Sequence, residues 1–219
     1  MGDTAQQRQP EAPFRPLVAF DFDGTLTSQD SFLAFLAWRT GPGGYVARLP
    51  GLAPAAARYL VDRDRGRIKA AAVKRFLAGL TRAELEAAAQ RFATERGRAL
   101  LRPDALRAWR RWQGDGARVV IVTASPEITV APFARALGAE RLIGTRLVFD
   151  AEGRVTGALD GANCRGPEKV RRLKEAYGDD VSLEAAYGDT DGDREMLALA
   201  QEKGFKVFNG KGRSGSGPL

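Results

Sequence analysis

Two aspartates separated by a single residue follow a short apolar run near the beginning of the chain. The run reads LVAF and continues into DFDGTLT, so that Asp21 and Asp23 come directly after it. A short apolar run of this kind predicts a buried strand. Carboxylates at the end of a buried strand cost stability unless they are paired, bind a metal or take part in a reaction. The stretch therefore predicts a functional site at the end of a strand.

Short runs rich in β-branched and aromatic residues alternate with helical patterns along the chain. The predicted strands are residues 17–21, 119–123, 142–144, 184–188 and 205–208. Strands separated by helices are typical of an α/β fold with a parallel sheet. Ligands of such sheets bind at the carboxyl ends of the strands, which is where the two aspartates lie.

Capping and turn signals predict the helices and one hairpin. Thr81 and Glu84 have capping-box spacing, which predicts a helix that begins there. Residues 147–149 and 154–156 predict a β-hairpin with Gly153 in its turn. Proline predicts the first turn of three further helices, at Pro103, Pro126 and Pro167.

A long helical segment lies between the first two predicted strands. Residues 38–98 contain no convincing strand and are too long for a single crossover connection. We therefore expect an all-helical cap inserted into a core formed by residues 14–37 and 99–209. Composition predicts a disordered arm over residues 1–13 and a flexible tail over residues 210–219.

The composition excludes several kinds of chemistry. The chain has no histidine, which excludes Ser-His-Asp triads, histidine-bound zinc and imidazole bases. Cys164 is its single cysteine, so that an intramolecular disulfide is excluded and a reducing compartment is expected. The sequence shows neither a secretory signal nor an apolar run of about 18 residues. We therefore expect a cytoplasmic protein that is at most peripheral to a membrane.

The excess positive charge lies in one segment. The formal net charge of the 219 residues is +7. Residues 39–75 contain nine lysines and arginines against two aspartates, and the rest of the chain is balanced. This segment is either a solvated helical face or a surface that attracts an anionic partner.

Four groups of polar residues stand at predicted strand ends and helix starts. They are Asp21 with Asp23, Thr123, Lys169, and the sequence GDTDGD at residues 188–193. Each of them alone is commonly a turn, a cap or a solvent-exposed side chain. Together, the carboxylates offer oxygen ligands to Mg²⁺, while the lysine and threonine can hold phosphate oxygens. One aspartate can attack phosphorus while the other protonates the leaving oxygen, so the set predicts phosphoryl transfer.

These elements resemble the haloacid dehalogenase superfamily of phosphatases, whose motifs are hhhhDxDGT, a strand-terminal Thr or Ser, a Lys, and GDxxxD. The resemblance covers roughly residues 17–208 apart from the helical segment. CRGPEKVRRL and AAYGDTDGDREML are most similar to the subclass of the phosphoserine phosphatases and related phosphatidylglycerophosphate phosphatases. The resemblance implies a three-layer Rossmann-like α/β core with a parallel sheet and an inserted all-helical cap.

The resemblance also implies a role for each matching residue. Asp21 would be the nucleophile that forms an aspartyl-phosphate, and Asp23 the general acid and then the base. Mg²⁺ would be held by the Asp21 carboxylate, the Asp23 carbonyl and Asp189. Asp191 falls at a variable motif position and receives no role. The remaining assignments are phosphate binding by Thr123 and Lys169, and orientation of the metal ligands or Lys169 by Asp193.

The sequence constrains the substrate less than the chemistry. Phosphoserine phosphatases have a substrate-binding Glu where this chain has Asp30, and Phe and Arg where it has Ala70 and Leu77 in an ungapped alignment. The apolar stretch at residues 49–61, flanked by arginines, is instead reminiscent of the phosphatidylglycerophosphate phosphatases. It would dock on an anionic bilayer or over a lipid phosphate. Alternatively, the stretch at residues 49–61 packs the helices of the cap against each other.

We therefore predict a Mg²⁺-dependent phosphatase that hydrolyses an anionic lipid phosphate, with phosphoserine or another small soluble phosphomonoester as the alternative. Phosphoryl transfer to a second substrate is a rival mechanism. A non-catalytic protein of the same fold that binds anions or membranes is a rival function. No nucleic-acid partner is expected, because no aromatic residues alternate with the arginines of the basic segment.

Overall fold

The computed structural model describes residues 15–211, so the predicted arm at residues 1–13 and nearly all of the predicted tail lie outside the described residues. The strands in this part of the chain are β1 Leu17–Phe20, β2 Arg118–Pro126, β3 Arg141–Phe149, β4 Val155–Asp160, β5 Leu183–Gly188 and β6 Ala200–Phe205. The helices are α1 Ser31–Arg48, α2 Ala53–Asp62, α3 Arg65–Leu77, α4 Arg82–Leu100, α5 Pro103–Gly114, α6 Glu127–Ala136, α7 Pro167–Tyr177 and α8 Arg194–Ala198.

The strands form one sheet in the order β4-β3-β2-β1-β5-β6. All neighbours are parallel except β3 and β4, which form the predicted antiparallel hairpin. Strand β1 lies inside the sheet, where Val18 pairs with Val119 of β2 and with Ala185 of β5. Because these three strands are parallel, their carboxyl ends meet at one edge of the sheet.

Both faces of the sheet are covered, which explains why β1 is apolar at every position. Val18 and Phe20 of β1 belong to a core that includes side chains of α4, α5 and α6. Leu17 and Ala19 point to the other face and pack in a second core with side chains of α7 and α8. Side chains alternate along a strand, so a strand that is buried on both faces needs apolar residues throughout. The prediction of a three-layer α/β fold is confirmed.

The last predicted strand is wrong. The sequence pattern favoured residues 205–208, but β6 spans Ala200–Phe205. This strand is at the edge of the sheet and pairs only with β5, so three of its side chains are polar and exposed. Lys206 has a φ of 54°, a left-handed conformation that ends the strand. Phe208 lies beyond it and stacks on Phe20, which accounts for its apolar character.

Two smaller differences concern β3 and α6. The predicted strand at residues 142–144 and the first arm of the hairpin are one continuous strand, Arg141–Phe149. Its first half pairs with β2 and its second half with β4. Pro126 ends β2 and precedes α6 instead of standing in the first turn of that helix. By contrast, Pro103 and Pro167 begin α5 and α7 as predicted.

Helices α1 to α4 occupy the segment between β1 and α5, where the sequence predicts a cap. The helical segment begins at Ser31, seven residues before the predicted boundary, because Asp30 accepts a hydrogen bond from the Leu33 amide and caps α1. Helix α1 is broken at Gly41, whose φ is 68° and which precedes Pro42. Phe92 of α4 packs against Phe133 of α6, which joins this end of the segment to the core. The division into core and cap stays a prediction.

The β3–β4 hairpin holds the turn between α3 and α4. The amide of Gly79 donates to the Val155 carbonyl, and the Val155 amide donates to the Leu80 carbonyl, both at 2.9 Å. The Arg154 guanidinium also donates to the Gly79 carbonyl at 2.8 Å. Gly153 has the positive φ that the hairpin turn requires, 73°. The far end of α3 is therefore tied to the sheet.

The capping box at the beginning of α4 gives a test of the helical segment. Thr81 Oγ1 accepts a hydrogen bond from the Glu84 amide at 3.2 Å, and the Glu84 carboxylate accepts one from the Thr81 amide. Thr81→Ala is expected to lower the free energy of unfolding by about 1 kcal/mol. Urea unfolding followed by circular dichroism measures this change.

Thr94→Ala is the matched control, because Thr94 is exposed in the middle of the same helix. Alanine favours a helix interior, so this variant should be no less stable than the original chain. Equal destabilisation by both substitutions would contradict the proposed role of the capping box.

Candidate active site

Lys169 connects residues from distant parts of the chain at the carboxyl edge of the sheet. Its Nζ lies 2.6 Å from Asp21 Oδ1 and 2.7 Å from Asp193 Oδ1. The same ammonium donates to the Val122 carbonyl of β2 at 2.6 Å. Asp21 follows β1, Asp193 follows β5, and Lys169 is in the first turn of α7. The structure therefore brings together three of the residues that the sequence predicts for the site.

The backbone of Asp21 continues the strand by one residue. Its amide donates to the Tyr187 carbonyl of β5 at 2.8 Å, which fixes the position of the side chain between β2 and β5. The chain then turns at Gly24, whose φ is 85°. A Cβ on Gly24 would lie 2.1 Å from Asp189 Oδ2, so only glycine allows this close approach.

Burial and neighbouring charges together determine the pKa values of Asp21 and Lys169. Desolvation raises the pKa of Asp21 to about 7, because it outweighs the attraction of the Lys169 ammonium. For Lys169, burial opposes the charge, but the Asp21 and Asp193 carboxylates raise its pKa above the ordinary value. The ammonium is thus fixed in its charged form, and it is only 1% exposed.

Asp193 has hydrogen bonds to both carboxylate oxygens. Its Oδ1 accepts from Lys169, and its Oδ2 accepts from the Thr190 amide at 2.9 Å, the Thr190 hydroxyl at 3.0 Å and the Asp189 amide at 3.2 Å. Although burial opposes ionisation, Lys169 and these donors hold the pKa of Asp193 below its ordinary value. Asp193 therefore orients Lys169 and the loop that carries Asp189.

The acidic side chains form a cluster that fits a metal ion. Asp21, Asp189 and Asp193 each offer a carboxylate oxygen within 4.8 Å of the other two. The Asp189 carboxylate has one described partner, the Thr25 hydroxyl at 3.5 Å. Burial and the Asp193 charge raise the pKa of Asp189, so a cation beside it would relieve this repulsion. Since Asp193 is already bonded at both oxygens, Asp21 and Asp189 are the available ligands.

Asp23 reaches the same cavity from outside the strand. Strand β1 ends at Phe20, and Asp23 lies in the turn that follows. Its Oδ1 accepts from the Ser31 amide at 2.7 Å, and its Oδ2 accepts from the Ser125 hydroxyl at 2.5 Å. Sequence analysis missed Ser125, although it stands only two residues after Thr123. These two donors fix the direction of the Asp23 carboxylate.

Thr123 is in β2, as predicted, but its side chain is fully buried. Its Oγ1 accepts from the Ser125 amide at 3.0 Å. The cavity beside Asp21 is lined by the next residue, Ala124, and not by Thr123. Phosphate binding by Thr123 therefore stays a prediction.

The site opens into a cavity of about 700 Å³. The predicted residues that line it are Asp21, Asp23, Asp30, Lys169, Asp189 and Asp193. Cationic side chains also line it: Arg65 and Lys69, which belong to the basic segment at residues 39–75, and Arg102 and Arg165, which were not predicted. Asp30 is exposed, whereas Leu77 is buried in the core and Ala70 lines a neighbouring cavity. The cavity therefore has a mixed charge, with acidic groups at its base.

Lys69 is the cationic residue of the helical segment that reaches the base of the cavity. Its Nζ donates to the Ala124 carbonyl at the end of β2. Burial lowers the pKa of Lys69, although Asp23 and Asp30 oppose this effect. Lys69 and Ala124 are 55 residues apart, and nothing in the local sequence indicates that they meet. The contact between them is seen only in the fold.

Comparison with known proteins identifies the family. The model for haloacid dehalogenase-like hydrolases matches residues 18–198. The chain belongs to this family. It is 59% identical over 195 residues to Protein CicA of Caulobacter vibrioides, which covers 89% of this chain and 87% of that protein. It is 33% identical over 188 residues to a phosphoserine phosphatase of Halobacterium salinarum, covering 84% of this chain and 82% of the relative.

Two solved structures share the fold of this chain. A Bordetella pertussis protein of unknown function has a TM-score of 0.72 at 26% identity, covering 86% of this chain and 88% of that one. A phospho-aspartyl intermediate analogue of phosphoserine phosphatase has a TM-score of 0.55 at 22% identity, covering 86% and 85%, and shows the shared fold. The predictions of a haloacid dehalogenase-type phosphatase and of the phosphoserine phosphatase-like subclass are confirmed.

Gly24 provides a test of the acidic cluster. In Gly24→Ala, the new Cβ must displace the Asp189 carboxylate, so we expect Mg²⁺ affinity to fall at least about ten-fold. Isothermal titration calorimetry measures this affinity. The strained φ should also cost about 1–2 kcal/mol of stability.

Gly116→Ala separates the two effects. Gly116 has a similar φ of 78°, but a Cβ added there would have no atom within 4 Å, and the residue is outside the site. This control should lose similar stability and keep its Mg²⁺ affinity. Equal affinities of the two variants would show that Asp189 is not a metal ligand.

Proposed function

We propose that this protein is a Mg²⁺-dependent phosphomonoester hydrolase that acts through an aspartyl-phosphate on Asp21. The observation that carries the proposal is the Asp21 carboxylate, held by Lys169 at 2.6 Å and clustered with Asp189 within 4.8 Å. The oxygen donors of Asp21, Asp189 and the Asp23 carbonyl would hold Mg²⁺, which prefers few carboxylates together with water and phosphate oxygens. When bound, the ion neutralises charge on the reacting phosphate.

Asp21 is oriented for nucleophilic attack. Lys169 occupies Oδ1, while Oδ2 has only a long contact of 3.4 Å with the Thr25 hydroxyl. We assign the attack to Oδ2: the new Oδ2–P bond forms while the bond from phosphorus to the leaving oxygen breaks. The Lys169 ammonium favours the ionised form of Asp21 against the effect of burial, and it stabilises the phosphate oxygens as charge develops.

Asp23 supplies and then removes a proton. Its carboxyl group is held by the Ser31 amide and the Ser125 hydroxyl, so it is directed without being tied to Lys169. In the first step it protonates the leaving oxygen. In the second it accepts a proton from water, whose oxygen attacks phosphorus and releases Asp21 and inorganic phosphate.

Asp21→Asn tests the mechanism. Without an ionised carboxylate at this position, hydrolysis of 4-nitrophenyl phosphate in Mg²⁺ should fall by at least about 10³-fold, while the fold is retained. Phosphate release is the readout, and circular dichroism checks the fold. Free phosphate that appears in step with substrate loss distinguishes hydrolysis from transfer to a second substrate.

Asp191→Asn is the matched control. Asp191 belongs to the same acidic loop, but its carboxylate is exposed and pairs with Arg194 at 2.9 Å. This variant should keep the original activity. Near-normal turnover by Asp21→Asn would instead refute the aspartyl-phosphate mechanism. Absence of hydrolysis by the original chain would favour the non-catalytic binding function.

The proposed substrate is an anionic lipid phosphate, and the exposed surface of α2 supports it. No residue of α2 or of the preceding turn at Leu49–Leu52 is buried. Leu60 and Val61 are 70% and 83% exposed, and Val46 and Leu49 are exposed nearby. The alternative interpretation is that this stretch packs the helices of the cap. Packing does not explain why Leu60 and Val61 are exposed.

Basic residues and the active-site cavity adjoin this apolar surface. Arg48, Arg58, Arg63 and Arg65 lie within this stretch or close to it in the sequence. Tyr59 of α2 lines the active-site cavity. No helix of the described residues is long and apolar enough to cross a bilayer. We infer peripheral binding to an anionic membrane at its cytoplasmic face, with phosphoserine or another soluble phosphomonoester as the alternative substrate.

Vesicle binding tests the membrane surface. The chain should co-sediment with vesicles of phosphatidylglycerol and phosphatidylcholine, less at high salt, and bind weakly to phosphatidylcholine alone. Leu60→Ser with Val61→Ser should lower the partition coefficient about ten-fold, because two exposed apolar side chains are lost. Val207→Ser is the control, an exposed valine outside this surface. Failure to bind, or equal binding to both vesicles, would favour the soluble substrate.

A further inference from the structure

The active-site cavity continues into a second cavity. This neighbour has a volume of about 990 Å³ and lies between the start of α3 and the loop before α7. The residues that line both cavities are Tyr59, Arg65, Asn163, Arg165 and Gly192. A substrate bound through its phosphate at Asp21 can therefore extend between the helical segment and the core.

Arg165 is fixed at this shared wall. Its Nη1 donates to Thr190 Oγ1 at 3.1 Å, and the Thr190 hydroxyl donates to Asp193 at 3.0 Å. A Cβ on Gly192 would lie 2.0 Å from Arg165 Nη1, so the guanidinium can cross the acidic loop only because residue 192 is glycine. The arginine is partly buried, and among the described residues it forms no salt bridge. Its charge is therefore available to a ligand.

Arg65 and Lys69 face the cavity from the helical segment. They are four residues apart on α3 and so lie on one face of the helix. Lys69 contacts the Ala124 carbonyl near Asp23, whereas Arg65 lies at the wall shared with the second cavity. Arg65, like Arg165, has no salt bridge among the described residues. Cationic groups thus border the path on both sides.

The acidic residues of the second cavity do not cancel these charges locally. Asp64, Asp191 and Glu195 line it together with four arginines. Asp64 caps α3 by accepting from the Gly66 amide at 2.8 Å, and Asp191 pairs with Arg194. Two of the three acidic groups are therefore engaged elsewhere. The reacting phosphate already has Lys169, so the arginines of the shared wall need another anionic ligand.

We propose that Arg65 and Arg165 bind a second anionic group of the substrate. The preferred substrates are phosphomonoesters that carry a carboxylate or a further phosphate a few bonds from the reacting phosphate. Guanidinium groups suit such ligands because they form paired hydrogen bonds with planar or tetrahedral oxyanions. This inference rests on the proposed phosphatase function and adds a substrate class that soluble metabolites and phospholipid headgroups share.

Substrates matched in size test the subsite. Glycerol 3-phosphate has no second anion, 3-phosphoglycerate adds a carboxylate, and glycerol 1,3-bisphosphate adds a phosphate. We expect kcat/KM in Mg²⁺ to be about ten-fold or more higher for at least one of the two substrates with a second anion. Water-soluble dihexanoyl phosphatidylglycerophosphate is the lipid arm: preference for it over the bisphosphate assigns a headgroup, and the reverse assigns a soluble substrate.

Variants of the two arginines assign this preference to the subsite. Arg165→Met and Arg65→Met should each reduce the ratio of kcat/KM between substrates with and without the second anion about ten-fold, mainly through KM. Arg165→Lys should restore only part of the ratio, because lysine lacks the paired donors. Arg110→Met, an exposed arginine of α5, is the control and should leave the ratio unchanged.

The outcomes separate this inference from the proposed function. Asp21-dependent hydrolysis of 4-nitrophenyl phosphate with no preference for a second anion would overturn the subsite alone. The same conclusion follows if both arginine variants keep the original ratio. Absence of hydrolysis of every phosphomonoester would overturn the proposed function and this inference with it. Arg65 is exposed, so its variant tests the subsite even where Arg165→Met alters the fold.

Discussion

The buried ion pairs of Lys169 hold the site together. An ammonium that is 1% exposed is stable in a protein interior only beside carboxylates, and Asp21 and Asp193 each lie within 2.7 Å of it. Removing one member of such a set commonly costs about 3–5 kcal/mol, because the others remain buried and unpaired. These contacts join β1, β5 and α7, while the bond to Val122 adds β2. The same interactions therefore stabilise the fold and orient Asp21, the proposed nucleophile.

The sheet order explains why these residues meet. Strand β1 lies between β2 and β5, so the three carboxyl ends share one edge although they are far apart in sequence. The crowding of carboxylates there is unfavourable for the metal-free chain: burial raises the pKa of Asp21 to about 7 and also raises that of Asp189. A single ammonium does not balance this charge. A divalent cation among these oxygens would offset the repulsion between the carboxylates.

The parts of the site that follow local sequence patterns could be predicted from the sequence. Asp21 and Lys169 follow recognisable strand and helix signals, so their meeting could be expected from a parallel sheet. The contacts of Ser125 with Asp23 and of Lys69 with Ala124 were missed because nothing in the local sequence around Ser125 or Lys69 indicates them. The edge strand β6 was misplaced for another reason. Its exposed side is polar, so it lacks the apolar pattern by which β1, β2 and β5 were found.

The core and the helical segment contribute different residues to the active-site cavity. In the proposed mechanism, the core supplies the groups that contact the reacting phosphate, and buried hydrogen bonds hold Asp21, Lys169 and Asp193. Helix α3 supplies Arg65 and Lys69, but its far end is tied to the β3–β4 hairpin through Gly79 and Val155. The helix therefore presents its cations at a set distance from the acidic loop, where Arg165 is fixed across Gly192. Specificity for a second anion then depends on side chains at both walls, while the chemistry of the core stays the same.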